Sequence, residues 1–98
     1  MNLTSKQRSY LTGLSNTMDA IFQIGKSGLT PEICQALSEA LEARELIKIT
    51  ILKNCLDDPR TIAEIIAERT RSTVVRVIGR KIILYKPSKT KKKIELPN

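Results

Sequence analysis

Apolar and polar positions change period several times along the chain, and each change marks an element. Tyr10, Leu11 and Leu14 form a short helical stripe behind Leu3-Thr4-Ser5-Lys6-Gln7. Thr4 and Gln7 fit a capping box, with Leu3 as hydrophobic staple, so a helix is expected there, ending across Gly13 and Ser15-Asn16-Thr17. Lys6 and Arg8 read as its solvated face, with part of a basic surface the alternative. A first strand is expected over residues 19–24, a second helix from Pro31 to Ala43 and a third from Pro59 to near Thr70. Thr30-Pro31-Glu32 and Asp58-Pro59 both carry an N-cap followed by proline at the first helical position. Ile33, Ala36, Leu37, Ala40 and Leu41 recur at helical spacing, as do Ile62, Ile65 and Ile66.

Between these helices the period falls to two. In Leu46–Leu52, Ile47, Ile49 and Ile51 point to one side; Lys48 and Thr50 share the other with Leu46 and Leu52. Thr73–Ile78 and Lys81–Tyr85 read as strands joined by Gly79-Arg80, which suits a type II′ hairpin turn, and Pro87 closes the second. The order α-β-α-β-α-β-β predicts an α/β fold with a four-stranded mixed sheet packed by helices. Two strand–helix–strand units favour parallel pairing with right-handed crossovers. With the strands running outward in chain order, both crossover helices leave the sheet on one side, and the opposite face lies open to solvent.

Length supports one domain: 98 residues, read as a folded unit over 1–87 and a mobile basic tail over 88–98. No apolar run approaches a membrane span, and the N-terminus is polar where a signal peptide needs an apolar core, so a soluble cytoplasmic monomer is expected. There is no histidine and there are two cysteines, which excludes a Cys/His zinc site within one chain. No cofactor and no metal are expected. Cys34 reads as a small core residue and Cys55 as a loop thiol, with a disulfide between them the alternative.

Charge is split along the chain. Residues 1–68 hold 7 Lys/Arg against 9 Asp/Glu, and residues 69–98 hold 10 against 1, so the two parts carry −2 and +9 and sum to +7. A solubilising tail accounts for the lysines after Pro87. It does not account for Arg69, Arg71, Arg76, Arg80 and Lys81, which lie inside the predicted fold and point to a polyanionic partner. Glu39, Glu42 and Glu45 keep the second helix acidic, so its outer side should not meet phosphate.

Gly25-Lys26-Ser27-Gly28 stands where the first strand turns into the second helix. Glycine lets backbone approach a ligand closely, a helix start favours anions, and Lys26 adds a full charge, a combination that suits a phosphate oxygen. The alternative is that both glycines serve the turn alone. The stretch is not a P-loop, since only Gly-Lys-Ser of that longer pattern is present. Asp57-Asp58 fits capping better than acid–base work, and no nucleophile–base pair stands at a recognisable spacing.

Four stretches resemble one family in order and spacing: Leu3–Arg8, Ile24–Thr30, Glu45–Ile49 and Val77–Lys86. Together they are similar to the CRM domain (chloroplast RNA splicing and ribosome maturation), closest to its small stand-alone bacterial form, the YhbY type. The resemblance implies an RNA-binding module with a fold like the C-terminal domain of a bacterial translation initiation factor and the GxxG loop exposed. It further implies ribosomal RNA in large-subunit precursors as partner; a role in intron splicing, known for multi-domain plant relatives, is not expected. Carried over by position, Gly25, Lys26, Ser27 and Gly28 are the RNA-contacting loop. Arg44 stands where the family often has histidine and adds a cation. Lys48, Arg76, Arg80, Lys81 and Lys86 complete the candidate contacts. With Tyr10, Phe22 and Tyr85 the only aromatics, backbone clamping rather than a broad stacking platform is expected, and Tyr85 reads as a packing residue. A DNA-binding or protein-interaction module, and a small enzyme acting on a phosphorylated ligand, are the other readings.

Overall fold

The computed structural model describes residues 1–98. Its elements are α1 (Ser5–Ser15), β1 (Phe22–Ile24), α2 (Pro31–Arg44), β2 (Leu46–Ile51), α3 (Pro59–Thr70), β3 (Thr73–Ile78) and β4 (Lys81–Tyr85). The helix starts follow their caps. Thr4 and Gln7 exchange side-chain-to-amide hydrogen bonds, each 3.1 Å. Thr30 Oγ1 accepts from the Ile33 amide at 3.1 Å, and Asp58 Oδ2 accepts from the amides of Arg60 and Thr61. Gly79 takes φ +58° in the two-residue turn that pairs Ile78 with Lys81. β1 is shorter than expected, because only Phe22, Gln23 and Ile24 register against β2.

The sheet order is β1-β2-β4-β3, with β1 parallel to β2 and β4 antiparallel to both its neighbours. The strands therefore do not run outward in chain order. The connection through α3 skips one position, and the hairpin folds β4 back into it. This placement gives Ile82 and Leu84, both fully buried, the central position their apolar character requires, and leaves the more polar β3 at the edge.

Alternation along the strands divides two cores. Ile24, Ile47, Ile49, Ile51, Ile82 and Leu84 face α2 and α3, meeting Leu37, Leu41, Ile62 and Ile66. Leu46, Val75, Ile83 and Tyr85 face the other way and meet Leu11 of α1, with Leu3, Met18, Ile94 and Leu96 packed around them. The face expected to be open is thus covered by α1 and the chain's last residues. Its side chains are too apolar to be left in water. Tyr85 is a packing residue, as expected.

Several further expectations are corrected. Cys55 is the buried core thiol and Cys34 the half-buried one, and both are free. Arg8 is not simply solvated: its Nη1 donates to the carbonyl oxygens of Val74, at 2.7 Å, and Val75. Glu45 is fully buried at the turn between α2 and β2, with φ +67°. Its carboxylate accepts from the amides of Ser88 (2.7 Å), Lys93 (2.6 Å) and Ile94 (2.8 Å). Glu42 accepts from the Lys89 amide, the Ser88 hydroxyl and the Thr90 hydroxyl. The basic tail is therefore folded against the end of α2 instead of hanging free. The two carboxylates expected to face solvent are what hold it.

Candidate nucleic-acid interface

β1 and β2 run side by side to the same end of the sheet, so the loops that follow them must emerge together. The first of these is Gly25–Gly28. The Gly28 amide donates to the Gly25 carbonyl at 2.9 Å and closes a tight turn. Gly28 has φ +66°, in the left-handed region that only glycine enters without strain. Gly25 is needed for a different reason. A Cβ there would lie 3.1 Å from Asn54 Oδ1 and 3.3 Å from Leu52 Cδ1, in the loop after β2. Lys26 and Ser27 are exposed at the tip, and their amides make no hydrogen bond within the protein.

The start of α2 contributes less than its position suggests. Pro31 has no N–H, the Ile33 amide is spent on Thr30 Oγ1, and the Cys34 amide on the Thr30 carbonyl. Two carboxylates, Glu32 in the first turn and Asp57 beside Gly28, add negative charge. Of the first-turn amides of α2 only that of Glu32 is left unbonded, and the turn itself offers an anion the amides of Lys26 and Ser27 and the Lys26 ammonium.

The other candidate cations fall into three places. Arg80 and Lys81 share the loop's end of the sheet. Arg80 is largely committed there, its Nε donating to Ile51 O at 2.8 Å and its Nη2 to Leu52 O at 2.7 Å. Lys81 is exposed, with its ammonium 3.2 Å from Thr50 Oγ1. Arg76 projects from the edge strand, its Nε donating to Thr12 Oγ1 at 3.2 Å. Lys48 lies on the face covered by α1, half-buried, and donates to the Met18 carbonyl at 3.0 Å.

Arg44 and Lys86 do not join the loop. Arg44 ends α2, whose 14 residues carry it about 21 Å away at 1.5 Å per residue. Lys86 follows β4 at the same far end and caps α3 by donating to the Thr70 carbonyl at 3.0 Å. The tail lysines lie there too, beside Glu42 and Glu45. The cations of the last third thus do not close around the turn as a set; Arg80 and Lys81 alone of the proposed ones stand at its end. Sequence reasoning passed over Lys53, which is exposed in the loop after β2 at that same end. The signal for it was its position directly after a strand parallel to β1.

Comparison with known proteins agrees with this architecture. A hypothetical protein from Staphylococcus aureus, known from its solution structure, superposes with a TM-score of 0.81 at 47% identity, over 98% of this chain and all of that one. The probable RNA-binding protein YqeI of Bacillus subtilis is 45% identical over 97% of this chain and 99% of its own length. An RNA-binding protein of Haemophilus influenzae is 32% identical over 97% of this chain and 95% of its own. The sequence model of the CRS1 / YhbY (CRM) domain matches residues 3–86, a span running from the staple of α1 to the end of β4 and including the Gly25–Gly28 turn, and this chain belongs to that family.

Proposed function

We propose that this protein binds RNA by its sugar-phosphate backbone at the Gly25–Gly28 turn and serves as a ribosomal-RNA-binding factor in assembly of the large ribosomal subunit. The observation that carries the reading is the pair of unspent, exposed amides at Lys26 and Ser27 beside the Lys26 ammonium. Main-chain N–H groups and one cation suit a phosphodiester oxygen and read no base, as in the GXXG loops of KH domains. Names of relatives support RNA as the ligand class; the family resemblance supports the ribosomal setting. Lys81 and the remaining donor of Arg80 extend the contact, while Arg44, Lys48, Arg76 and Lys86 reach only RNA that wraps beyond this end. Aromatic stacking is minor, since Tyr85 is buried, Phe22 is half-buried and the exposed Tyr10 stands alone on α1. Residues 1–87 act as the binding unit, with the tail lysines adding charge for longer RNA, as a monomer in the cytoplasm, and no chemical step is involved.

Binding of a labelled structured ribosomal RNA fragment, measured over a salt series, tests the turn. Lys26→Ala should weaken binding and lower the log–log salt slope by about one. Wild-type affinity and slope in that variant would remove the turn from the interface. Excess duplex DNA at matched salt should compete poorly, and sedimentation of cell extracts should place the protein with large-subunit precursors.

A further inference from the structure

A cleft of about 300 Å³ opens at the edge of the sheet, between the start of α3 and β3. Three guanidinium groups line it: Arg60 from α3, Arg76 from β3, and Arg8, which reaches over from α1. Glu64 is the one acid among the lining residues, so the lining carries three positive charges against one negative. Ala63, Val74, Val75 and Val77 complete the lining, with Ala63 and Val75 almost wholly buried.

Two of the three arginines are held in place by the protein. The β3–β4 register shifts between Val74 and Arg76, which marks a bulge. Arg8 Nη1 spans it by donating to the carbonyls of both Val74 and Val75. Arg76 is fixed through Nε on Thr12 Oγ1. A guanidinium has five N–H donors in a planar fork, so each keeps donors free, and Arg60 spends none of its side-chain donors on the protein.

We propose that this cleft is a second phosphodiester-binding site for the same RNA, a reading that rests on RNA binding at the Gly25–Gly28 turn. Forked guanidinium groups lining one cleft fit the paired oxygens of a phosphate. A carboxylate-rich peptide would meet the same donors, but continuity favours RNA. The loop that touches Gly25 and Gly28 runs directly into the Asp58 cap of α3, and Arg60 follows two residues later. Arg76 stands two residues before Ile78, which pairs with Lys81 at the loop's end of the sheet. The cleft thus adjoins the loop that packs on the turn, with Asp57 and Asp58 between the two, and RNA that leaves the turn past the start of α3 meets it.

The test uses the full chain, a fluorescein-labelled RNA hairpin and a potassium chloride series. Arg60→Ala combined with Arg76→Ala should lower the salt slope by about two, and Glu64→Gln should tighten binding. The side-chain Nε–H resonance of Arg8, left intact because it spans the bulge, should shift on adding RNA. Wild-type binding and slope in the double variant, with Lys26→Ala still weakened, would overturn the cleft and leave the turn standing. Loss in the double variant with Lys26→Ala unaffected would keep the cleft and overturn the turn. An Arg8 resonance that moves with polyglutamate and not with RNA would assign the cleft to an acidic protein and overturn the proposal. Should the double variant melt early, Arg60→Ala alone, which removes no internal bond, should still lower the slope by about one.

Discussion

Gly28 and Gly13 show how differently one residue type is used. Gly28 holds φ +66° at the turn, so Gly28→Ala should destabilise by about 1–2 kcal/mol through left-handed strain. Gly13 lies within α1 with nothing within 4 Å of a built Cβ. Gly13→Ala should stabilise by about 0.5–1 kcal/mol, since glycine in a helix loses more backbone entropy. Thermal melts of the two variants check both signs. Arginine is likewise spent in two ways. Arg80 ties off the end of β2 through two carbonyls, while Arg60 is exposed with its side-chain donors free. Sequence spacing could not separate these, because the partners of Arg80 are main-chain oxygens 28 and 29 positions away.

Two elements on the α1 side carry the fold's less obvious stability. Leu11 is fully buried against Leu46, Val75, Ile83 and Tyr85. Leu11→Ala should cost about 2–5 kcal/mol, measured by denaturant unfolding, while leaving the Gly25–Gly28 turn, which makes no contact with this cluster, intact. The tail is the second. Burial acts to raise the Glu45 pKa, but the amides of Ser88, Lys93 and Ile94, with the charge of Lys92, outweigh it and hold the carboxyl below its ordinary 4.5. The Lys89 amide first, then the hydroxyl of Ser88, do the same for Glu42 against its burial. A carboxyl depressed on folding stabilises fully above its unfolded value, and the effect fades as pH falls through the folded one. Acidification below 4.5 should therefore free the tail. Amide exchange at Ser88, Lys93 and Ile94 should rise before that of β2 and β4. Tyr85 moves the opposite way: burial and the nearby Glu45 charge raise its hydroxyl above 10.0.

Over the whole molecule, the excess of +7 is divided between two ends rather than gathered at one. Lys26, Lys53, Arg80 and Lys81 stand at the end where β1 and β2 finish; Arg44, Lys86 and the tail lysines stand at the other. This separation is a matter of length, since α2 places about 21 Å between its first and last residues. It predicts a dependence on ligand size. Lys89→Ala with Lys91→Ala should leave the salt slope unchanged for a short single strand bound at the turn. The same pair should lower the slope for a structured RNA long enough to span both ends. Lys81→Ala should lower it by about one in both cases.

Element types and order were legible in the chain because caps, prolines and apolar periods are local signals, and each helix start obeys the bond its cap makes. The Gly25–Gly28 turn was legible for the same reason, standing between a strand and a capped helix. Strand order was not, because periodicity says which face a residue takes and nothing about which neighbour it pairs with. Neither was the cover over the second face, which needs Leu11 and Ile94 to join one cluster from opposite ends of the chain. Glu42 and Glu45 read as surface acids until the fold brought three tail amides onto Glu45. The sequence by itself determined what each segment becomes and how much charge it carries. Only the tertiary structure decided which charges stand together and which are spent on the protein's own carbonyls, since that depends on contacts between residues far apart in the chain.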